Sequence, residues 1–424
     1  MKVDILLGLQ WGDEGKGKVV DVMAPHYDII ARFQGGPNAG HTLEFDGQKF
    51  VLNTIPSGIF RNGVSSVIGN GVLIDPFLML RREIDRISAF TDVKSKLLIS
   101  NRSHLILPTH RLLDAASETA KGERRIGSTL KGIAPAYTDK ASRDGLRTGD
   151  LLSADFERKY RILKASHLQK LEVLFGYDVH TARIDGLSLE EYESEWLAAV
   201  EELRTYRICS TEYFLNNALY EGRLILAEGA QGSLLDVEFG TYPFVTSSNT
   251  IAAGVCSGLG IAPSKIETVY GLFKAYCTRV GEGVFPTELS DSTGELLQRQ
   301  GNEFGSTTGR PRRCGWLDLP LLQYSCMLNG VNQLIMMKAD VLNHLQTIRV
   351  CTSYQGVPEK EIPFELTKDI KVNYEELEGW AREITSADIP AELMRYITLI
   401  EDYLNLKITL VSIGPDREQN LYLS

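Results

Sequence analysis

The run Gln10-Trp11-Gly12-Asp13-Glu14-Gly15-Lys16-Gly17-Lys18 limits the folds open to this chain more than any other segment. It follows an apolar stretch, residues 3–9, that reads as a buried first strand. Residues 12–18 match the phosphate-loop template: a Gly, four residues, then Gly-Lys. A glycine-rich turn at a strand end lets backbone N–H groups converge on phosphate oxygens, and a lysine neutralises them. Val19 stands where the template has a Ser or Thr for Mg²⁺, so a metal here needs another oxygen, and Asp13 is the nearest. A carboxylate in a phosphate cradle is repelled by its own ligand unless it binds metal or takes a proton. A solvated glycine turn is the bland alternative for so short a match.

The neighbourhood favours the phosphate reading. Residues 35–42, Gly-Gly-Pro-Asn-Ala-Gly-His-Thr, form a second glycine-rich turn after the strand-like residues 29–33. Two such turns at consecutive strand ends build a site at the carboxyl edge of an open α/β sheet. Further strand-like runs lie at 67–68, 97–99, 224–227, 269–273, 334–337, 348–351 and 408–411. Helical patterns lie between several of them. The clearest spans 187–203, with Ser188 as cap and Glu191 as its capping-box partner. Strands alternating with helices predict a mainly parallel sheet covered on both faces. Residues 138–150 and 302–314 are polar, with little periodicity, and read as loops.

Composition sets the limits. The 424 residues are enough for a full core, and no repeat or linker divides them, so one elaborated domain is expected. A net charge of −10 argues against general nucleic-acid binding, and an anionic substrate then needs local basic patches. Residues 121–147 supply one, with seven Lys/Arg against three acids, and residues 310–313 (Arg-Pro-Arg-Arg) another. The six scattered cysteines have no metal-ligand spacing and read as buried thiols of a reducing compartment. Cys314, beside the arginines, reads as packing. No segment has transmembrane length and the start does not read as a signal peptide, so a cytoplasmic location is expected.

Other segments carry chemistry at strand ends. Residues 228–232 (Glu-Gly-Ala-Gln-Gly) precede a hydroxyl-rich stretch, 240–250, whose neutral donors suit phosphate oxygens or a base edge. The three guanidiniums of 310–313 repel one another, and an anion would relieve that cost. Lys338-Ala339-Asp340 closes an apolar strand like the guanine reader of GTP-binding proteins. A carboxylate there accepts from the N1–H and exocyclic amine of guanine, a donor pair that adenine lacks on that edge. Residues 412–416 end the last strand at the same edge.

Taken in order, the segments 10–18, 35–42, 126–147, 228–232, 240–250, 278–288, 301–310, 338–340 and 412–417 resemble those of the adenylosuccinate synthetase family, ligases that join aspartate to IMP at the expense of GTP. The resemblance covers nearly the whole chain. It implies a phosphate-loop NTPase-like α/β fold: one domain over 1–424, with a large mainly parallel sheet, helices on both faces, and a helical and loop insertion at roughly 100–205. It implies Asp13 as the base at N1 of IMP and, with the Gly40 carbonyl, as the Mg²⁺ ligand. His41 would be the acid towards the 6-oxygen, Lys16 would steady the transferred phosphoryl group, and Gln231 would join them in catalysis. GTP would meet Gly12, Glu14, Gly15, Lys16, Gly17, Lys18, Gly40, His41, Thr42 and Arg312, with guanine read by Lys338, Asp340, Ser412 and Gly414.

By the same resemblance IMP would be held by Asp13, Asn38, Thr129, Gln231, Thr246, Val280 and Arg310. Arg143 would reach across a homodimer interface, and the carboxylates of aspartate would meet Thr307, Thr308, Arg310 and Arg312. The chain departs from the family pattern at Leu130-Lys131, at Ala134, at Pro311, at Phe239 and at Pro37. None of these removes an expected catalytic residue. A paralogue with another nucleotide or amine, and a regulatory GTP switch, remain the alternative readings at this point.

Overall fold

The computed structural model describes residues 2–305, 309–385 and 388–423. Ten strands form the central sheet: β1 (Val3–Gly8), β2 (Ile29–Arg32), β3 (Ser65–Ile68), β4 (Leu97–Ser100), β5 (Arg207–Cys209), β6 (Ile225–Gly232), β7 (Ile266–Lys274), β8 (Gln333–Met337), β9 (Ile408–Ser412) and β10 (Asn420–Tyr422). Their spatial order is β10-β9-β8-β7-β1-β6-β2-β3-β4-β5. Every pairing is parallel except β9 with β10. β1 lies between β6 and β7 and is buried nearly throughout, as a strand covered on both faces must be. The carboxyl ends of β1, β2, β6, β7, β8 and β9 therefore share one edge, and the loops that follow them meet there.

Helix α1 (Lys16–Met23) leaves the phosphate loop from Gly15, whose φ of 93° opens the left-handed turn. Gly17 marks a close approach: a Cβ there would lie 2.9 Å from Cβ of His41. The helical layer beyond β3 and β4 contains α2 (Pro108–Lys121), α3 (Ile133–Ser142), α4 (Phe156–Phe175) and α5 (Leu189–Leu203). Trp196, Tyr192 and Leu203 of α5 are fully buried in one cluster with Ile68, Leu97 and Ile99 of the sheet, so this layer shares a core with the sheet edge. Ser188 Oγ accepts from Glu191 N at 3.2 Å and Glu191 accepts from Ser188 N at 2.8 Å, the expected capping box.

Three of the segments read from the sequence need comment: one strand joins a separate sheet, and two segments read as loops are partly regular. Residues 348–351 lie in a strand, Thr347–Tyr354, of a separate three-stranded sheet with Leu317–Asp318 and Val372–Glu378. The first part of 138–150 is helical, the end of α3; Ile133, Ala136 and Asp139 are its buried side, an i, i+3, i+6 stripe interrupted by polar residues. Likewise Arg313–Gly315, at the end of 302–314, pairs as a strand with Cys277–Arg279.

Candidate active site

The strand-end loops enclose a cavity of roughly 1200 Å³. It is lined by Gly12, Asp13, Glu14, Gly15, Lys16, Gly17 and Lys18 from the first loop, and by Asn38, Gly40, His41 and Thr42 from the second. Thr129, Gln231, Thr246, Val280, Arg312, Lys338, Asp340, Ser412 and Gly414 complete the sequence-derived set on its walls. Arg143 lies outside this lining, exposed at the end of α3 with its Nε on Ser142 O. Arg310 is exposed and donates to the carbonyls of Gly127 and Ser128. Thr307 and Thr308 lie outside the described residues.

Inside the first loop, Glu14 is fully buried and its carboxylate accepts from Gln10 N (3.1 Å), Gly12 N (2.9 Å) and Lys16 Nζ (2.7 Å). Glu14 thus braces the loop from within. Lys18 is bound to Ser412 Oγ (2.9 Å), Gly414 O (2.7 Å) and Gln419 O (3.0 Å), tying α1 to the last strand; burial pulls its pKa down to about 8. Asp13 holds a left-handed φ of 60°, a strained state for a non-glycine residue. Its Oδ2 accepts from Arg312 Nε at 2.9 Å.

Arg312 in turn donates to Glu303 Oε2 at 2.6 Å. Glu303 is fully buried and also binds Lys274 (2.9 Å), Lys338 (2.8 Å) and the Tyr276 hydroxyl (2.5 Å). Burial raises its pKa, but the three surrounding cations outweigh that and hold it well below the usual carboxylate range. Lys274, buried beside it, is pulled down to about 8 by desolvation. The resemblance named Arg312 and Lys338 but not Glu303, Lys274 or Tyr276. Glu303 lies in the segment 301–310 that carries part of the resemblance, but its local pattern gives no sign of these partners.

At the second loop, His41 Nδ1 lies 2.5 Å from Glu228 Oε1. Glu228 also accepts from Ser57 Oγ (2.6 Å), Ser57 N (2.8 Å) and Arg32 (3.2 Å). Burial raises the Glu228 pKa, yet His41 and Arg32 bring it down to about 2. Burial, aided by the Arg32 charge, pushes His41 down to about 4. The ring is therefore neutral in this state, donating from Nδ1 to an ionised carboxylate and leaving Nε2 buried without a hydrogen-bond partner. An acid role for His41 requires the negative charge of ligands to raise its pKa first. Glu228, Arg32 and Ser57 were not named from sequence, although Glu228 opens a segment singled out there.

Five buried polar atoms on these walls have no partner: His41 Nε2, Asn38 Oδ1, Asp340 Oδ1 and both amide atoms of Gln231. Buried polar groups are nearly always paired, so five orphans on residues that line one cavity, counted among the described residues, mark groups that a ligand could satisfy. Burial raises the pKa of Asp340, a cost that N–H donors from a base would relieve.

Away from this cavity's reaction centre, His110, Asp139 and His167 form the one histidine–carboxylate group with metal-like proximity among the described residues. His110 Nδ1 accepts from Leu107 N–H at 2.9 Å, so its proton sits on Nε2, which faces Asp139 Oδ2 at 2.9 Å. A protonated nitrogen cannot ligate a cation. His167 Nε2 meets the same oxygen at 2.7 Å, and the group is a hydrogen-bond knot joining α2, α3 and α4. All six cysteines are free; burial pushes Cys314 up to about 12, in keeping with a packing role.

Glycine-rich loops, a buried charge network and unpaired polar groups gathered at one edge of a parallel sheet define an α/β protein with a ligand cavity at its strand ends. The adenylosuccinate synthetase family model matches residues 5–421. The chain is 54% identical to adenylosuccinate synthetase of Parabacteroides distasonis over 99% of each chain, and 55% identical to that of Flavobacterium johnsoniae over 99% of this chain and all of the relative. A solved structure of fully ligated adenylosuccinate synthetase from Plasmodium falciparum superposes with a TM-score of 0.89 at 34% identity, covering both chains completely. Cyanophage S-2L succinoaminodeoxyadenylate synthetase, 20% identical over 99% of this chain and 95% of its own, shares the fold with a TM-score of 0.64. The chain belongs to the adenylosuccinate synthetase family, GTP-dependent ligases that form adenylosuccinate from IMP and aspartate in AMP biosynthesis.

Proposed function

We propose that the reaction proceeds through 6-phosphoryl-IMP, with Asp13, His41, Lys16 and Gln231 as the catalytic groups. Asp13 takes the N1 proton of the hypoxanthine ring. The 6-oxygen then attacks the γ-phosphorus of GTP, the bond to the β-phosphate oxygen breaks, and GDP leaves. His41, its charge supported by Glu228, donates towards the 6-oxygen, and the Gln231 amide supplies a second donor there. The amine of aspartate next attacks C6 and inorganic phosphate departs. This is positioning plus charge neutralisation, the usual logic of phosphoryl transfer. The observation that carries the reading is that His41, Gln231, Asn38 and Asp340, all lining one cavity, each hold a buried polar atom without a partner.

Backbone N–H groups of the first loop, with Lys16, hold the polyphosphate beside Gly40 and Thr42, and Lys18 braces the helix that carries them. Lys16 exchanges Glu14 for the γ-phosphate. Lys338, Asp340, Ser412 and Gly414 read guanine. Asn38, Thr129, Thr246, Val280 and Arg310 hold IMP, and Thr307, Thr308, Arg310 and Arg312 hold aspartate. Mg²⁺ demands oxygen donors, and Asp13 and the Gly40 carbonyl, both on the cavity wall, fit that requirement; the ion would supply charge neutralisation at the phosphates. Arg312 must release Asp13 for this. The exposure of Arg143 outside its own cavity suits donation to a partner subunit in a homodimer. No described helix is long and apolar enough to cross a membrane, which is consistent with a cytoplasmic single-domain enzyme.

The test is turnover of IMP, GTP and L-aspartate with Mg²⁺ by the purified chain and by Asp13→Ala. Adenylosuccinate formation by the parent and a loss of kcat of at least about a thousandfold in the variant are expected. A variant that retains a tenth of the activity would contradict the role given to Asp13.

A further inference from the structure

Deepening that reading at the IMP-phosphate subsite, we infer that Glu118 is a positioning residue that folds the loop 126–131 into shape for the phosphate. The loop carries Thr129 on the cavity wall but has no regular structure of its own. What shapes it is one stripe of α2. Glu118 Oε2 accepts from three successive backbone N–H groups, Ile126 (3.1 Å), Gly127 (2.9 Å) and Ser128 (3.1 Å), while its Oε1 is held by Lys121 at 2.7 Å. Three N–H groups converging on one oxygen form an anion nest, and Gly127, at φ 84°, supplies the left-handed step that bends them together.

The rest of the stripe acts on the same loop. Asp114 accepts from Ser128 Oγ (2.8 Å) and Gly132 N (2.9 Å), and Arg111 Nε donates to Leu130 O at 2.6 Å. Residues 111, 114, 118 and 121 follow one another at three- and four-residue steps, so they share one face of the helix. The His110–Asp139–His167 knot fixes that helix to α3 and α4. Arg310 grips the loop from its carbonyl side through Gly127 and Ser128. The side chains of α2 thereby occupy the loop's backbone donors and leave the Thr129 hydroxyl for the substrate phosphate. Without the Glu118 carboxylate those three donors lose their shared acceptor, and the loop must be ordered by the substrate at the expense of its affinity.

Glu118→Ala and Glu118→Gln test this by steady-state kinetics and by tryptic cleavage after Arg124, Arg125 and Lys131. In Glu118→Ala the KM for IMP should rise about tenfold or more, with kcat and the KM for GTP within about twofold. Glu118→Gln, which keeps an acceptor oxygen without the charge, should fall between. Cleavage in the loop should accelerate in Glu118→Ala and slow again when IMP is added. An IMP KM that stays level or falls would overturn the inference, because it would mean that the carboxylate merely sits where the phosphate belongs. Unchanged cleavage in the substrate-free variants would overturn it as well. Cleavage rates need no turnover, so failure of the parent enzyme to use IMP would count against the reaction assigned above and leave this readout standing on its own.

Discussion

Replacing Glu228 by Gln separates what the buried carboxylate does for the fold from what it does for His41. Four donors meet Glu228: His41 Nδ1 at 2.5 Å, Ser57 Oγ at 2.6 Å, Ser57 N at 2.8 Å and Arg32 at 3.2 Å. Arg32 is fully buried, its Nε has no partner, and its other contacts are the Asn53 carbonyl and His41 Nδ1 at 3.3 Å, with Glu83 as a second carboxylate acting on its charge. Removing the negative charge leaves the guanidinium without its ion-pair partner in the core, which costs about 3–5 kcal/mol. At about 2.1 cal/mol/K per residue, the 424 residues give an unfolding entropy near 0.9 kcal/mol/K, so Tm should drop by about 3–6 °C. The neutral amide also ceases to support charge on His41, and kcat should fall by about 10²–10⁴. Adding Arg32→Met removes the stranded charge, so the double variant should regain most of the Tm and none of the kcat. Differential scanning calorimetry and initial rates measure both. A single variant with kcat within threefold of the parent would refute the proton role; a double variant no more stable than Glu228→Gln would refute the buried-charge account.

Asp340→Asn should raise the KM for GTP by about a hundredfold or more, because a buried carboxylate aimed at two N–H donors is replaced by a group with one acceptor and one donor. XTP, with a carbonyl in place of the exocyclic amine, should lose far less or gain, and a variant that keeps its preference for GTP would overturn the guanine-reader assignment. Asp318 offers a pH test remote from catalysis. Burial raises its pKa to about 7 from an ordinary 3.8, so the folded state holds it protonated below about 7 while the unfolded chain releases the proton near 4. Ionised burial is therefore a destabilising load at high pH, relieved as pH falls from 7 towards 4. The Tm of Asp318→Asn relative to the parent should climb with pH by a few degrees over that window and level off above it. A constant difference would contradict the raised pKa.

The parts of this site legible in the sequence are those whose chemistry is local. A glycine turn and its lysines can be read within nine residues directly after an apolar strand, and Lys338-Ala339-Asp340 can be read at the end of β8. The supporting groups escape such reading because their partners are remote. Glu228 lies 187 positions from His41, and Arg312 lies 299 from Asp13. Nothing in the local pattern distinguishes Glu303 from a solvated acid; only the fold brings Lys274, Lys338 and Arg312 around it. The apolar run 348–351 predicts a strand correctly but cannot say which sheet it joins, since that depends on pairing with 317–318 and 372–378. Their place in the loop makes Glu14 and Lys18 expected ligands of GTP. Their bracing contacts become visible only once β9 and the loop interior are in position.

Glu303 ties separate tasks into one electrostatic unit. Lys338 close to Asp340, the Arg312 that restrains Asp13, and Lys274 on the central sheet all neutralise the same anion. The surroundings of Asp340 and of Asp13 are consequently coupled through one buried charge. A change at Lys338 redistributes charge felt at Asp13, so redesign on either side of the cavity has to begin by rebalancing this quartet rather than by swapping one residue.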